Sequence, residues 1–166
     1  MSRGFILVEV SIAYVILTLA MAALIPVFIL SIRAAKSAEK IQVCTYLSSE
    51  LLEEVRLRKW DGRVQDLIPH VDAPSPTLGV DAGETATNKA TFDDVDDFNG
   101  WSETGARDPL GTAIAEFKDY TRTVAVTYVD ATLTPTVATN DLKRITVCTL
   151  TGKVGPICLN TLVSNR

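Results

Sequence analysis

Residues 5–32, FILVEVSIAYVILTLAMAALIPVFILSI, contain one residue charged at neutral pH, Glu9. A helix rises about 1.5 Å per residue, so a run of this length outreaches the roughly 30 Å of hydrocarbon in a bilayer. The stretch therefore predicts a transmembrane helix, with Pro26 as the point where it kinks or locally melts, because proline lacks an N–H and crowds the preceding turn. A secretory signal would need a basic leader, a 7–15-residue apolar core and a small-residue cleavage site. Only Met1 to Gly4 precede the run, and the run is too long for such a core.

Glu9 sets the main problem. A carboxylate within an apolar span costs on the order of 2.5–3.5 kcal/mol, less toward the interface, and calls for a partner. Arg33, the next base along the chain, is many turns away. Cleavage between Gly4 and Phe5 would create an α-amine, of reference pKa near 8, four residues before Glu9. That amine could meet Glu9 within one chain, or Glu9 of a neighbouring chain could neutralise it and set an assembly register. Alternatively, Glu9 snorkels to the headgroup level.

Gly4-Phe5-Ile-Leu-Val-Glu9 resembles the prepilin motif of type IV pilins and type II secretion pseudopilins. The resemblance implies cleavage after Gly4 by a prepilin peptidase, N-methylation of Phe5, Glu9 as intersubunit charge partner, and Pro26 as the family's helix kink. It also implies residence in the bacterial inner membrane, with one span and the C-terminal domain in the periplasm, followed by entry into a pilus or pseudopilus filament. The partners it implies are other pilin subunits, the peptidase and the inner-membrane assembly machinery. Charge bias runs the other way: Arg3 stands alone before the span, whereas Arg33, Lys36 and Lys40 follow it, and the cytoplasmic side usually carries more Lys and Arg.

The chain of 166 residues, at formal net charge −4, has room for the anchor helix and one domain with its own core. No basic cluster stands out, which argues against a nucleic-acid surface. Residues 33–62 continue the helix as an amphipathic segment. Ile41, Cys44, Leu47/Ser48, Leu51/Leu52 and Val55 recur at three-and-four spacing, the opposite face carries Lys36, Glu39, Lys40, Glu50, Glu53, Glu54, Arg56 and Arg58, and Gly62 marks the stop. Trp60 is expected to pack in the core.

Residues 63–119 form a connector rich in Pro, Gly, Asp and Thr, either a functional loop or a cover for short elements. Its His70, the only histidine, reads as a surface residue. Its dense motif is Phe92-Asp-Asp-Val-Asp-Asp-Phe-Asn-Gly-Trp101, where concentrated acid invites a hard cation such as calcium. The EF-hand pattern fails: counted from Asp94, the required glycine falls on Asn99 and the terminal glutamate on Gly105. The favoured reading is that Phe92, Val95, Phe98 and Trp101 pin the loop to the core while the Asp residues stay in water; a calcium loop of another type is the alternative. This segment, with Leu51-Leu-Glu-Glu54, also resembles minor pilins of the mannose-sensitive haemagglutinin pilus (D type) and PilV-like proteins.

Residues 120–166 alternate with period two and predict an antiparallel meander: 121–129, 142–150 and 157–163, the last two joined around Gly152-Lys153. Closed around Lys153, that hairpin sets Thr151 against Gly155, Leu150 against Pro156 and Cys148 against Cys158, close enough for a disulfide in an oxidising compartment. Two unbridged thiols are the alternative, and Cys44 is read as a buried apolar filler. No enzyme constellation and no cofactor site is expected. The predicted fold is α+β, a long N-terminal helix packed on a small antiparallel sheet. The expected role is a structural minor pilin-like subunit; a pseudopilin, or a membrane-anchored, non-polymerising binding module using the acidic loop, is the alternative.

Overall fold

The computed structural model describes residues 3–64, 70–152 and 154–165, with side chains described from Leu7 onward. The fold is α+β and pilin-like. A helix, α1 (Arg3–Arg56), is followed by strands β1 (Ser102–Thr104), β2 (Tyr120–Tyr128), β3 (Leu142–Thr151) and β4 (Val154–Ser164), with three short 3-10 turns between α1 and β2. The strands form one antiparallel sheet in the order β1-β2-β3-β4.

The chain divides into two compact units, 1–40 and 41–166. In the first, the helix is exposed on all sides from Leu7 to Glu39 and is long and apolar enough to cross a membrane. It passes through Pro26 without interruption, so the local melting expected there is absent; only the bond from residue 26 to the Ala22 carbonyl is forfeited.

In the second unit, Leu51, Leu52 and Val55 of α1 pack on Val124 and Val126 of β2 and on Ile145 and Val147 of β3. This arrangement follows from the sequence because the helix stripe repeats every three to four residues and the strands every two, giving each element one apolar face. Ser48 joins the contact by donating its hydroxyl to Thr149 Oγ1 at 2.7 Å. Cys44 is free and buried, whereas Ile41, expected in the same stripe, remains 44% exposed.

Four details refine or correct the sequence reading. The helix ends at Arg56, not at residue 62: the Lys59 carbonyl instead accepts the Val95 N–H at 2.9 Å, and Trp60 leaves the helix to pack against Tyr128. Of the two readings of the connector, hidden short elements is the one observed: it supplies β1, which pairs Ser102 with Thr123 and Thr104 with Thr121. The β3–β4 hairpin sets Thr151 opposite Val154 rather than Gly155, because the register shifts between Thr149 and Thr151. Pro156 explains the shift: it has no N–H to give the ladder. Below the bulge Cys148 stands opposite Cys158, and the two are joined in a disulfide. The predicted turn residue Lys153 lies outside the described residues. The fourth is the burial of the acidic loop.

Candidate functional site

Of the N-terminal residues singled out by sequence, Gly4 and Phe5 fall inside the helical run, but their side chains lie outside the described residues, as do Met1 and Ser2. Glu9 is exposed on the helix. The site that the structure assembles lies in the connector.

Phe92, Val95, Phe98 and Trp101 are all buried, with Phe92 edge-on to both Phe98 and Trp101. Their anchoring drags the intervening carboxylates inward. Asp93 stays exposed, but Asp94, Asp96 and Asp97 are buried, which overturns the expectation that these aspartates remain in water. The short turn at 96–98 explains how the backbone accommodates them. Asp94 Oδ1 accepts the N–H groups of Asp96 (2.6 Å) and Asp97 (3.2 Å), and Asp97 Oδ2 accepts those of Asp93 and Asp94, both at 3.0 Å. The two side chains cap each other's backbone as in a capping box.

The buried aspartates differ in what neutralises them. Asp96 pairs with Lys143 Nζ at 2.5 Å; that ammonium is itself fully buried, donates to the Trp60 carbonyl at 2.6 Å and sits over the Trp60 ring. Burial outweighs Lys143 and leaves the Asp96 carboxyl raised to about 6. Asp94 and Asp97 have no such partner. Burial, reinforced by the charges of Asp96 and Asp97, pushes Asp94 up to about 7.

Two further acids arrive from the preceding loop. Asp81 and Glu84 belong to a turn in which Glu84 Oε2 accepts the Asp81 N–H at 3.1 Å. Carboxylate oxygens of Glu84, Asp93 and Asp97 all lie within 4.8 Å of one another. Asp81 Oδ2, Asp94 Oδ2 and Asp93 Oδ1 crowd Gly62, at 3.2, 3.1 and 3.6 Å from where a Cβ on that residue would stand. Gly62 is thus a close approach between backbone and carboxylates rather than a helix stop. Glu84 is raised to about 7, first by burial and then by its contact with Asp97. None of the ion pairs among the described residues reaches Asp81, Glu84, Asp93, Asp94 or Asp97. A cleft of about 370 Å³ is lined by Val80, Ala86, Asp97, Trp101 and Glu103 among others, so of the five acids Asp97 is the one that borders it.

Elsewhere the domain neutralises its buried charges with care. Arg122, fully buried on β2, donates to Glu103 of β1 at 2.6 Å, Glu50 of α1 at 2.7 Å and the Arg107 carbonyl at 2.6 Å. Buried Lys89 donates to Glu54 of α1 at 2.8 Å and to the Arg107 carbonyl at 2.9 Å. Glu50 and Glu54, placed by periodicity on the polar face, are therefore the helix's ion-pair links to the rest of this unit. His70 is half-exposed, with Asp72 at 3.3 Å and Asp141 at 3.8 Å. Sequence reasoning missed Asp81 and Glu84, which are separated from the motif by a long irregular stretch. It also missed the burial of Lys89, Arg122 and Lys143; the signal for the last two was their place on the inward parity of their strands.

No family model, curated protein or solved structure matches the chain.

Proposed function

We infer that this protein is a pilin-like filament subunit of the minor type, made as a precursor, cut after Gly4, methylated on Phe5 and assembled through its N-terminal helix. One observation carries the reading: Gly4-Phe5 and Glu9 stand at the head of a helix that is apolar, Glu9 apart, as far as Ile32 and exposed on every described face up to Glu39. An all-round apolar helix suits lipid, or the bundle of sibling helices at a filament's axis. In such a bundle, Glu9 of one subunit would neutralise the methylated amine of the next, offsetting the cost of a carboxylate in an apolar setting. The domain from residue 41 onward would then lie on the periplasmic side, where the Cys148–Cys158 bridge is chemically at home. Subunits of a type II secretion pseudopilus share all these features and form the neighbouring reading.

Co-expression with a prepilin peptidase tests the proposal by intact mass. The expected product lacks Met1 to Gly4 and carries one added methyl group, and Gly4→Val blocks both changes. A chain that keeps Met1 in the presence of active peptidase would refute it. The second reading, a membrane-anchored module that does not polymerise, is favoured by the unneutralised acidic cluster. It would be supported by an uncleaved protein that still binds a ligand there.

A further inference from the structure

We propose that Glu84, Asp93 and Asp97 bind a calcium ion where their carboxylates converge, with Asp81 and Asp94 supplying further negative charge around Gly62. Calcium bonds oxygen ligands at about 2.3–2.6 Å, so two ligands of one ion stand at most about 5 Å apart. The three carboxylate oxygens, all within 4.8 Å of one another, meet that condition. Three acids converging is not in itself a site. The independent observation is Asp97: the residue is 1% exposed, its Oδ2 is taken by two backbone N–H groups, and its Oδ1 is buried with no N–H, hydroxyl or ammonium donor among the described residues, the Glu84 carboxyl being the group that contacts the side chain. A buried carboxylate oxygen left without such a donor is destabilising, and a bound cation would remove that penalty.

The donor set selects the ion. All candidate ligands are carboxylates, with no histidine or cysteine among them, which favours a hard cation over zinc or copper. Five carboxylates on loops of irregular backbone suit calcium's flexible six-to-eight coordination; magnesium demands near-ideal octahedral geometry and sheds water reluctantly. The site is also supported from two sides of the chain: the capping pair Asp94–Asp97 fixes one side, and the Asp81–Glu84 turn carries the other. Calcium would therefore tie the 81–84 turn to the 93–97 loop, a link that the described ion pairs do not provide. The site does not depend on filament assembly, and the two proposals fail separately.

The test is calorimetric titration of the full-length chain in detergent, stripped with EDTA, with CaCl2 and in parallel with MgCl2. One calcium should bind saturably with Kd of roughly 10⁻⁵–10⁻³ M, and magnesium at least tenfold more weakly. Asp93→Asn removes an exposed ligand that has no buried packing role, and should weaken calcium at least tenfold while leaving the near-ultraviolet circular dichroism unchanged. Asp72→Asn, a fully exposed acid outside the cluster, should leave binding as in the parent. Asp97→Asn keeps an acceptor for the Asp93 and Asp94 N–H groups and should abolish binding; if that variant does not fold, Asp93→Asn decides alone. Absence of saturable uptake at 10 mM calcium, equal affinity for magnesium, or parental affinity in Asp93→Asn would each overturn the assignment.

Discussion

Replacing Arg122 with methionine should nearly unfold the domain that follows the helix. The guanidinium is fully buried and gives its donors to Glu103 Oε1, Glu50 Oε2 and the carbonyls of Arg107 and Leu47, so one side chain on β2 ties together α1, β1 and the 105–111 loop. Methionine keeps much of the volume and removes every donor. Glu50 is 30% exposed and can rehydrate, so its share of the loss is at most about 1 kcal/mol. Glu103 cannot: its side chain is 3% exposed and its Oε2 already lacks a donor. Breaking a buried pair by removing one partner costs about 3–5 kcal/mol, against a total stability of roughly 5–15 kcal/mol for a domain. With a urea slope near 2 kcal/mol per molar, the unfolding midpoint should fall by about 2 M. Full-length protein in detergent can be followed by the near-ultraviolet signal of Trp60 and Trp101, both of which lie beyond residue 40. Arg122→Met combined with Glu103→Leu removes both charges and should recover more than half of the loss. A shift below about 0.5 M for the single variant, or a double variant no better than the single, would show that Arg122 is not what neutralises Glu103.

Asp61 offers a pH test. Burial alone would raise its carboxyl, but the N–H groups of Arg63 and Ser75 and the charges of Arg63 and Lys143 prevail and hold it below the ordinary carboxylate range. A folded pKa below the unfolded one contributes stability that is present above about pH 4 and is lost as pH falls through the folded value; Asp61→Asn should therefore destabilise at pH 7 by about 1–3 kcal/mol and much less near pH 2, read from urea midpoints at the two pH values. Reducing the Cys148–Cys158 bridge, of sequence separation 10, should cost about 2.5–3 kcal/mol, visible as a lower melting temperature of the Cys148→Ala/Cys158→Ala variant. Lys143→Met should lower stability by several kcal/mol because it strands Asp96 and the Trp60 carbonyl, whereas Lys143→Met with Asp96→Leu should recover part of that loss in the same urea assay. Glu9→Ala should reduce incorporation into filaments at least tenfold without altering the melting of the domain; incorporation at the parental level would remove Glu9 from the assembly mechanism.

What the sequence made legible follows from periodicity. The apolar run at 5–32, the stripe from Cys44 to Val55 and the alternation through Val124, Val126 and Tyr128 each repeat at the spacing of one element, so helix, strands and their shared core could be read directly. The helix end could not: beyond Arg56 the Arg58 N–H turns back to the Val55 carbonyl, and the Lys59 carbonyl is taken by the Val95 N–H from thirty-odd residues away, a contact that the local sequence does not announce. The β3–β4 hairpin keeps the expected register at Cys148–Cys158 and shifts by one residue only at its tip, next to Pro156, which has no N–H to give the ladder. Within the acidic motif, the spacing of Phe92, Val95, Phe98 and Trp101 identified the buried face correctly, yet the aspartates were assigned to water on composition alone. At such short range, anchoring four apolar residues leaves the intervening backbone no freedom to keep every acid outside. Asp97, between two core residues, goes in with them.

The pattern of neutralisation supports the cluster's separateness from the structural network. The buried cations Lys89, Arg122 and Lys143 each meet a carboxylate: Glu54 and Glu50 reaching from the helix, Glu103 from β1 and Asp96 from the loop. Those pairs lie between elements, where an unmatched charge would work against packing. Asp81, Glu84, Asp93, Asp94 and Asp97 take part in no ion pair among the described residues. The chain carries 20 acids against 16 bases, so its entire acidic excess is smaller than this one group of five. Burial first, and then the neighbouring carboxylates, raise the proton affinity of Asp94 and Glu84. The buried cations each meet a carboxylate, whereas the buried Asp94 and Asp97 meet no cation among the described residues and lie beside three further acids, an arrangement that a cation from solution would complete.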